Sequence, residues 1–174
     1  LTADLPFQIT DINGDGKNEV VTVMDFRLRI LEGATGRELA SIPVPESTEP
    51  LETLYSGVPY GQYAFDHVNI DAVRICNFSG NPTPTDILIK DRYSRLYVYN
   101  NKLEPLWRYH DGITGHFPYT ADINGDGRDE MFVGYNLVDS NGKKIWTLPA
   151  KDHTDEIIFG RLIPDSDQDY IGIV

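Results

Sequence analysis

The sequence predicts an all-β fold built from about four repeated units, and three observations support it. Two acidic loops of nearly identical sequence begin at Asp11 and Asp122, and each lies between two short apolar or alternating segments. Turns containing Gly and Asn separate short runs rich in β-forming residues. No segment has the 3.6-residue periodicity of a long amphipathic helix. One unit is therefore a series of antiparallel strands joined by tight turns.

The first unit defines the template. Phe7 to Thr10 alternates as a strand does, and the acidic loop then leads into the apolar run Val20 to Met24. Leu28 to Leu31 follows, and the turn from Gly33 to Gly36 connects it to a fourth strand over Arg37 to Ser41. The unit is thus predicted to contain four strands.

The same template fits the rest of the chain. The second unit has strands predicted at 70–76, 87–90, 96–99 and 106–109, the third at 117–121, 131–133, 137–138 and 143–148, and the fourth at 156–160 and 170–174. Equivalent loops start at residues 11, 77, 122 and 161, which are 66, 45 and 39 residues apart. The last two spacings suit a propeller blade of about 40–50 residues.

The sequence therefore predicts an arc of a β-propeller with about four blades of four-stranded antiparallel sheet. The blades are expected at about 5–42, 66–110, 117–149 and 154–174, the last one incomplete, with an insertion at about 43–65. One or two helical turns can form at 49–54. Because the chain begins at Leu1 and ends in an apolar run, we interpret it as an excerpt whose partner is the remainder of the parent propeller.

The acidic loops predict two Ca²⁺ sites. Ca²⁺ takes six to eight oxygen ligands, and side chains at positions 1, 3 and 5 of a tight loop can converge on one point. The expected ligands are the side chains of positions 1, 3, 5 and 9 and the carbonyl of position 7. They are Asp11, Asn13, Asp15, Lys17 and Glu19 in the first loop, and Asp122, Asn124, Asp126, Arg128 and Glu130 in the other.

Other interpretations of these loops are weaker. Zn²⁺ and Cu²⁺ are poor candidates because no His or Cys is among the ligands. An EF-hand needs Glu at position 12, where this chain has Thr22 and Val133 inside predicted strands. A plain acidic β-turn is the alternative for a single loop, and the repetition favours metal. The loop from Asn77 to Asp86 and the turn from Asp165 to Asp169 lack the pattern and are expected to bind no Ca²⁺.

Composition excludes some partners. The 174 residues include 15 Lys and Arg against 27 Asp and Glu, a net charge of −12, which argues against nucleic acid and anionic membrane surfaces. No apolar run approaches the roughly 20 residues of a membrane span. The single cysteine, Cys76, lies in an apolar run and is expected in the core.

The repeated D-I-N-G-D-G-x-x-E loop followed by a short apolar strand resembles the FG-GAP/VCBS type of calcium-binding propeller repeat. More narrowly, the segments 115–122, 134–135, 139–146 and 152–155 are similar to parts of secreted rhamnogalacturonan lyases. The resemblance implies an eight-bladed propeller with Ca²⁺ in the blade loops, in a secreted or cell-envelope protein. In the lyases it also implies β-elimination of a pectic backbone in a groove on the propeller.

Further residues could form a ligand site. His67 with Asp71, and His153 with Asp155, precede predicted first strands, either as carbohydrate ligands or as His–Asp bonds that tie blades together. His110 and His116 flank a flexible loop, and the abundant Tyr and Trp residues can stack on sugars or pack between blades. We expect a calcium-stabilised extracellular propeller that binds a polysaccharide or a cell-surface protein, or else a rhamnogalacturonan-type lyase. Catalytic and substrate-binding residues remain unassigned.

Overall fold

The structure, a computed structural model, describes residues 6–48, 65–91, 93–111, 113–150 and 154–174. These residues form 14 strands and contain no helix, which confirms the all-β prediction. The strands are β1 Phe7–Thr10, β2 Glu19–Met24, β3 Arg27–Glu32, β4 Glu38–Pro43, β5 Ile70–Cys76, β6 Asp86–Asp91, β7 Leu96–Tyr99, β8 Pro105–Tyr109, β9 Tyr119–Ala121, β10 Glu130–Val133, β11 Asn136–Val138, β12 Lys144–Thr147, β13 Ile157–Gly160 and β14 Tyr170–Ile173.

The strands form four antiparallel sheets in chain order, an arc of propeller blades. The first three blades are the four-stranded meanders β1–β4, β5–β8 and β9–β12, and the fourth consists of the pair β13–β14. Within each blade, every strand pairs with the next one along the chain. Register shifts interrupt the pairing of the third and fourth strands in each of the three complete blades, and such bulges increase the local twist.

Alternation along the central strands explains how the blades stack. All six residues of β6 are buried, but Ile87 and Ile89 lie in one apolar cluster with blade-1 residues while Leu88 lies in another with blade-3 residues. Successive side chains of a strand point to opposite faces, so β6 packs against a neighbouring blade on each side. In the third blade, Met131 and Phe132 divide between two clusters in the same way. The core is thus three layers between four sheets.

The meander topology also sorts the turns onto two ends of the sheets. The turns after the first and third strand of each blade lie at one end, which we call the loop face and which carries both acidic loops. The turns after the second strand and the connections between blades lie at the other end, which we call the connector face. The two groups of predicted site residues are therefore on opposite sides of the molecule.

Part of the prediction lies outside the described residues. The predicted helical turns at 49–54, most of the insertion at 43–65, and His153 are in this category. Within the described part, strand limits differ from expectation at a few ends. The largest differences are of two residues: β4 ends at Pro43 rather than at Ser41, and β9 begins at Tyr119 rather than at residue 117, because Pro118 has no N–H to donate to a ladder.

Candidate functional site

The first acidic loop is held in shape by its own carboxylates. Asp11 accepts N–H bonds from Gly14 and Gly16, both at 2.8 Å, and from Asp15 at 3.0 Å. Both glycines have positive φ, 79° and 85°, which lets the chain fold back over the Asp11 carboxylate. The loop in the third blade repeats this arrangement, with Asp122 accepting from Gly125, Asp126 and Gly127 at 2.7–3.1 Å.

The acid at position 9 closes each loop from inside the sheet. Glu19 and Glu130 are the first residues of β2 and β10, and both are buried. Glu19 accepts the N–H of Ile12 at 3.2 Å, and Glu130 accepts the N–H of Ile123 at 3.0 Å. The N–H groups of Ile12 and Ile123 lie outside the strand pairing, and these bonds give them acceptors. Position 9 therefore has a structural role in each loop, whatever else it binds.

The third-blade loop also brings two acids around one amide. The Asn124 Nδ2 group donates to Asp126 Oδ2 at 3.2 Å and to Glu130 Oε1 at 2.9 Å. The amide lies between two carboxylates at a place where positive charge is favoured. Asn124 Oδ1 at the same time accepts the N–H of Asp126 at 2.8 Å. Three of the predicted ligands, Asn124, Asp126 and Glu130, are thus in mutual contact.

The two acidic loops offer the kind of ligand atoms that Ca²⁺ prefers, but these atoms are not arranged around a common point. The expected ligands are oxygens of carboxylates, amides and carbonyls, which hard cations prefer. However, in the part of the chain that the structure describes, no three His, Cys, Asp or Glu side chains form a group that could hold a metal ion. The carboxylates are turned toward N–H groups of their own loops. The two Ca²⁺ sites stay a prediction.

The corresponding loop of the second blade has a different set of bonds. Asp86, the first residue of β6, is buried and accepts both the N–H and the hydroxyl of Ser79, at 2.6 and 2.9 Å. Asn77 bonds to the third blade: its N–H donates to Asp129 at 2.7 Å and its Nδ2 donates to the carbonyl of Gly127 at 3.1 Å. This loop keeps the closing acid and replaces the exposed acids with contacts between blades.

The connector face carries a histidine between two acids. His116 Nδ1 is 3.7 Å from Asp71 Oδ2, and His116 Nε2 is 3.7 Å from Asp155 Oδ1. Tyr93 packs edge-on against the imidazole, with ring centroids 5.2 Å apart. The three side chains come from the second blade, the connection before the third, and the start of the fourth. We call Asp71, His116 and Asp155 the His116 cluster.

Two groups in this region are arranged differently from the sequence prediction. Of the two interpretations of His67 with Asp71, the His–Asp bond does not form: the His67 ring contacts Phe26 and its backbone bridges to Glu46, while Asp71 faces His116. The Asp71 Oδ2 atom is buried and has no hydrogen-bond partner. His67 and Asp71 do not contact each other because the backbone places His67 beside the first blade. The other expected pair includes His153 and lies outside the described residues.

A buried ionic network, which the sequence analysis missed, supports the His116 cluster. Lys90 donates to the carbonyls of Asp91 and Gly115, and the Asp91 carboxylate binds Arg95 Nε at 2.8 Å. Gly115 also packs closely against Thr154, because a Cβ there would lie 2.1 Å from Thr154 Oγ1. The sequence does contain a signal for this network, because Asp86, Lys90 and Asp91 flank the apolar run of β6. Charged residues that are buried in a strand usually have a charged partner.

The aromatic residues mostly pack between blades. Tyr99 and Tyr109 are buried, and burial raises the pKa of Tyr99 to about 12. Trp107 donates its Nε1–H to the carbonyl of Ser140 at 3.0 Å and packs edge-on to Phe78. Trp146 packs against the third core cluster. These residues lie in or beside the core rather than on a sugar-facing surface.

No helix among the described residues is long and apolar enough to cross a membrane. No family model matches the chain. Among curated proteins, it is 29% identical over 174 residues to the rhamnogalacturonan endolyase YesW of Bacillus subtilis, covering 90% of this chain and 26% of the relative. It is 24% identical over 205 residues to the rhamnogalacturonan exolyase YesX of the same organism, covering 91% of this chain and 32% of the relative.

Solved structures show the same fold. The Bacillus licheniformis rhamnogalacturonan lyase PL11 superposes with a TM-score of 0.74 at 21% identity, over 98% of this chain and 35% of that one. The Vibrio cholerae biofilm matrix protein Bap1 superposes with a TM-score of 0.65 at 19% identity, over 97% and 23%. The resemblance to rhamnogalacturonan lyases is therefore confirmed as a similarity, over about a third or less of the relatives' length, and the FG-GAP/VCBS assignment stays a prediction.

Proposed function

We propose that this chain is a blade segment of an extracellular or cell-envelope propeller that binds rhamnogalacturonan-type polysaccharide. The observation that carries the proposal is the 29% identity to a rhamnogalacturonan endolyase over 90% of the chain. The fold alone would not support the proposal, because one propeller architecture serves unrelated functions. Bap1, for example, has a similar fold and is a biofilm matrix protein.

The connector face is the side that we assign to the sugar. It carries the His116 cluster, in which a partly exposed imidazole lies between the exposed carboxylate of Asp155 and the buried carboxylate of Asp71. Such groups exchange hydrogen bonds with sugar hydroxyls, and the imidazole can also transfer protons near neutral pH. The Lys90–Asp91–Arg95 network lies directly behind and fixes the backbone at Gly115.

The acidic loops, on the opposite face, are assigned a structural role. Ca²⁺ bound by Asp11, Asn13, Asp15, Glu19 and the carbonyl of Lys17, or by the equivalent residues of the third blade, would offset repulsion among the carboxylates. Two bound ions would also change the net charge from −12 to about −8. A less negative surface is better suited to an anionic polysaccharide.

Direct binding tests this proposal. The full-length protein is expected to bind rhamnogalacturonan oligosaccharides in isothermal titration calorimetry, and His116→Ala is expected to weaken the binding. Asp167→Ala, which removes an exposed acid from the fourth blade, serves as the control. Absence of binding by the wild-type protein, or equal affinity of the His116 variant, would reject the proposal.

A second candidate is rhamnogalacturonan lyase activity itself, which the names of both curated relatives favour. Cleavage by β-elimination forms a double bond in the uronate, so the product absorbs in the near ultraviolet. The full-length protein would release such a product from rhamnogalacturonan. If it binds the polysaccharide without releasing the product, a binding role stands and the lyase role does not. Capture of a cell-surface protein instead of polysaccharide would support the receptor-type alternative.

A further inference from the structure

The turn between β2 and β3 holds a bulky residue in a backbone conformation that such residues rarely adopt. Both turn residues, Asp25 and Phe26, have positive φ values, 53° and 54°. Two-residue hairpin turns of this kind usually contain Asn or Gly, because a Cβ crowds the backbone at positive φ. A phenylalanine at the second position therefore needs an explanation beyond turn formation.

The equivalent turn of the third blade shows that the fold does not require this strain. Gly134 and Tyr135 join β10 to β11, and there only the glycine has positive φ, at 57°. In both blades the second turn residue uses its carbonyl to accept an N–H at 2.9 Å, from Val44 in the first blade and from Leu148 in the third. The same contact thus forms without an aromatic residue at positive φ.

Burial does not explain Phe26 either. Leu103 also has a positive φ, at 63°, but its side chain is buried in the first core cluster, so apolar burial offsets the strain. Phe26 has 38% of its surface exposed. The chain keeps a large apolar ring in a strained position at the surface, and strain of this kind is concentrated at functional sites.

Phe26 belongs to an aromatic group on the connector face. Its ring centroid is 5.6 Å from that of Phe65 and 5.7 Å from that of His67, with interplanar angles of 51° and 34°. Phe65 and His67 are half-buried. We call these three residues the Phe26 cluster. It lies on the same face as the His116 cluster, and its tilted rings form an apolar surface with one imidazole.

The charges beside this cluster are acidic. Asp25 precedes Phe26, Asp66 lies exposed between Phe65 and His67, and the backbone of Glu46 bridges to that of His67. Two arginines follow the turn: Arg27 donates to the carbonyl and hydroxyl of Ser41, and Arg29 is engaged by Asp25 at 3.7 Å and by Glu38. Carboxylates accept hydrogen bonds from sugar hydroxyls but repel a uronate. The surroundings therefore favour a neutral sugar.

We infer that the Phe26 cluster is a subsite that stacks on a neutral pyranose unit of the polysaccharide, a hexose or 6-deoxyhexose rather than a uronate. One face of a pyranose presents C–H groups, which pack on an aromatic ring, while its hydroxyl groups reach the acidic rim. The strained turn is needed because it presents the ring toward solvent. This inference rests on the proposed polysaccharide binding and assigns part of it to the first blade.

The test is Phe26→Asn in the full-length protein, because Asn accepts positive φ and removes the ring. The thermal midpoint is expected to stay the same or rise, while the Kd for a rhamnogalacturonan oligosaccharide, measured by calorimetry, increases about tenfold. Phe26→Trp, which keeps an aromatic ring, is expected to retain binding. Affinity for polygalacturonate, which has only uronate units, is expected to stay unchanged. Ile145→Asn, at another exposed apolar residue on β12, is the matched control.

The outcomes separate this inference from the proposed function. If the wild-type protein does not bind the oligosaccharide, both fail. If the wild type binds and Phe26→Asn binds equally well, the subsite alone is rejected. A lower thermal midpoint with unchanged affinity would show that the Phe26 cluster serves packing, and equal losses for both polysaccharides would overturn the assignment of a neutral sugar.

Discussion

The loops that follow the first strands of blades 1, 2 and 3 share one acid and differ in the others. All three keep a buried acid at the start of the second strand, namely Glu19, Asp86 and Glu130, which accepts backbone N–H bonds from its own loop. Only the first and third loops add exposed acids at positions 1 and 5. The second loop uses contacts to the third blade in their place.

This difference indicates that these three loops depend on the closing acid, whereas the acids at positions 1 and 5 can be replaced. A buried carboxylate is costly unless its lone pairs are satisfied, and the loop N–H groups satisfy them in blades 1, 2 and 3. The exposed acids cost repulsion and, in the second blade, can be omitted. Their retention in two loops is what supports a cation there.

Removal of Ca²⁺ is expected to have the largest effect. At a free concentration one hundred times its Kd, each ion stabilises the folded state by about 2.7 kcal/mol, so chelation at two sites lowers the free energy of unfolding by about 5 kcal/mol. Urea titrations of the full-length protein with Ca²⁺ and with chelator measure this. Mg²⁺ should not restore the stability. If the urea titrations with Ca²⁺ and with chelator superpose, the acidic loops do not bind a stabilising metal ion.

Asp86→Ala tests the role of the closing acid in the second loop, which is expected to bind no ion. The substitution leaves the part-buried N–H of Ser79 without its acceptor, which lowers the free energy of unfolding by about 1–3 kcal/mol. Because the second loop is expected to bind no ion, the loss should be the same with Ca²⁺ and with chelator. A loss that appears only with Ca²⁺ would show that the second loop is also a metal site. Asp86→Asn, which keeps an acceptor oxygen, should lose less.

Much of this comparison was accessible from the sequence. The strands Ile70–Cys76 and Leu96–Tyr99 have the predicted limits, since β-branched and aromatic runs bounded by turn residues determine strands locally. The loops in blades 1 and 3 form the expected tight turns because Gly at positions 4 and 6 allows positive φ. Local chemistry was enough for these features.

Contacts between blades could not be predicted in this way. Asp71 and His116 are 45 positions apart, and the side chain that faces Asp71 depends on how the connection to the third blade crosses the second. The bond from Asn77 to Asp129 likewise joins residues of two sheets. The alternation of apolar and polar residues along the strands does not show whether His67 or His116 is the neighbour of Asp71. The prediction therefore paired Asp71 with the histidine nearer in sequence.

Asp126→Ala is expected to have a smaller effect that depends on the ion. With Ca²⁺ present, loss of one ligand from the third-blade loop lowers the stability by about 1–2 kcal/mol through weaker binding. With chelator, only exposed contacts to Asn124 and Arg128 are lost, and the change is about 0.5 kcal/mol or less. Thermal unfolding in both conditions measures the difference. Asp167→Ala should be neutral in each, and an equal loss for Asp126→Ala in both would exclude the metal role.

The smallest effect concerns Cys76, which reports on the second loop without any substitution. The thiol is buried immediately before that loop, and burial, aided by the nearby Asp86 and Asp129, raises its pKa well above the usual value of a cysteine. The folded state therefore favours the neutral thiol, and the resulting stability, complete below the thiol's pKa in the unfolded chain, is lost as pH rises through the folded-state pKa.

Alkylation of Cys76 by iodoacetamide at pH 8 is accordingly expected to be slow in the folded protein and fast in urea, because the thiolate is the nucleophile. Chelation should leave the rate in the folded protein unchanged at a temperature well below the midpoint, since the second loop is held by Asn77 and Asp86 rather than by an ion. Mass spectrometry of the modified peptide gives the rate. Rapid alkylation after chelation, with global unfolding excluded by circular dichroism, would mean that the acidic loop of the third blade keeps its neighbour closed through the metal, and the three loops would then form one calcium-dependent unit.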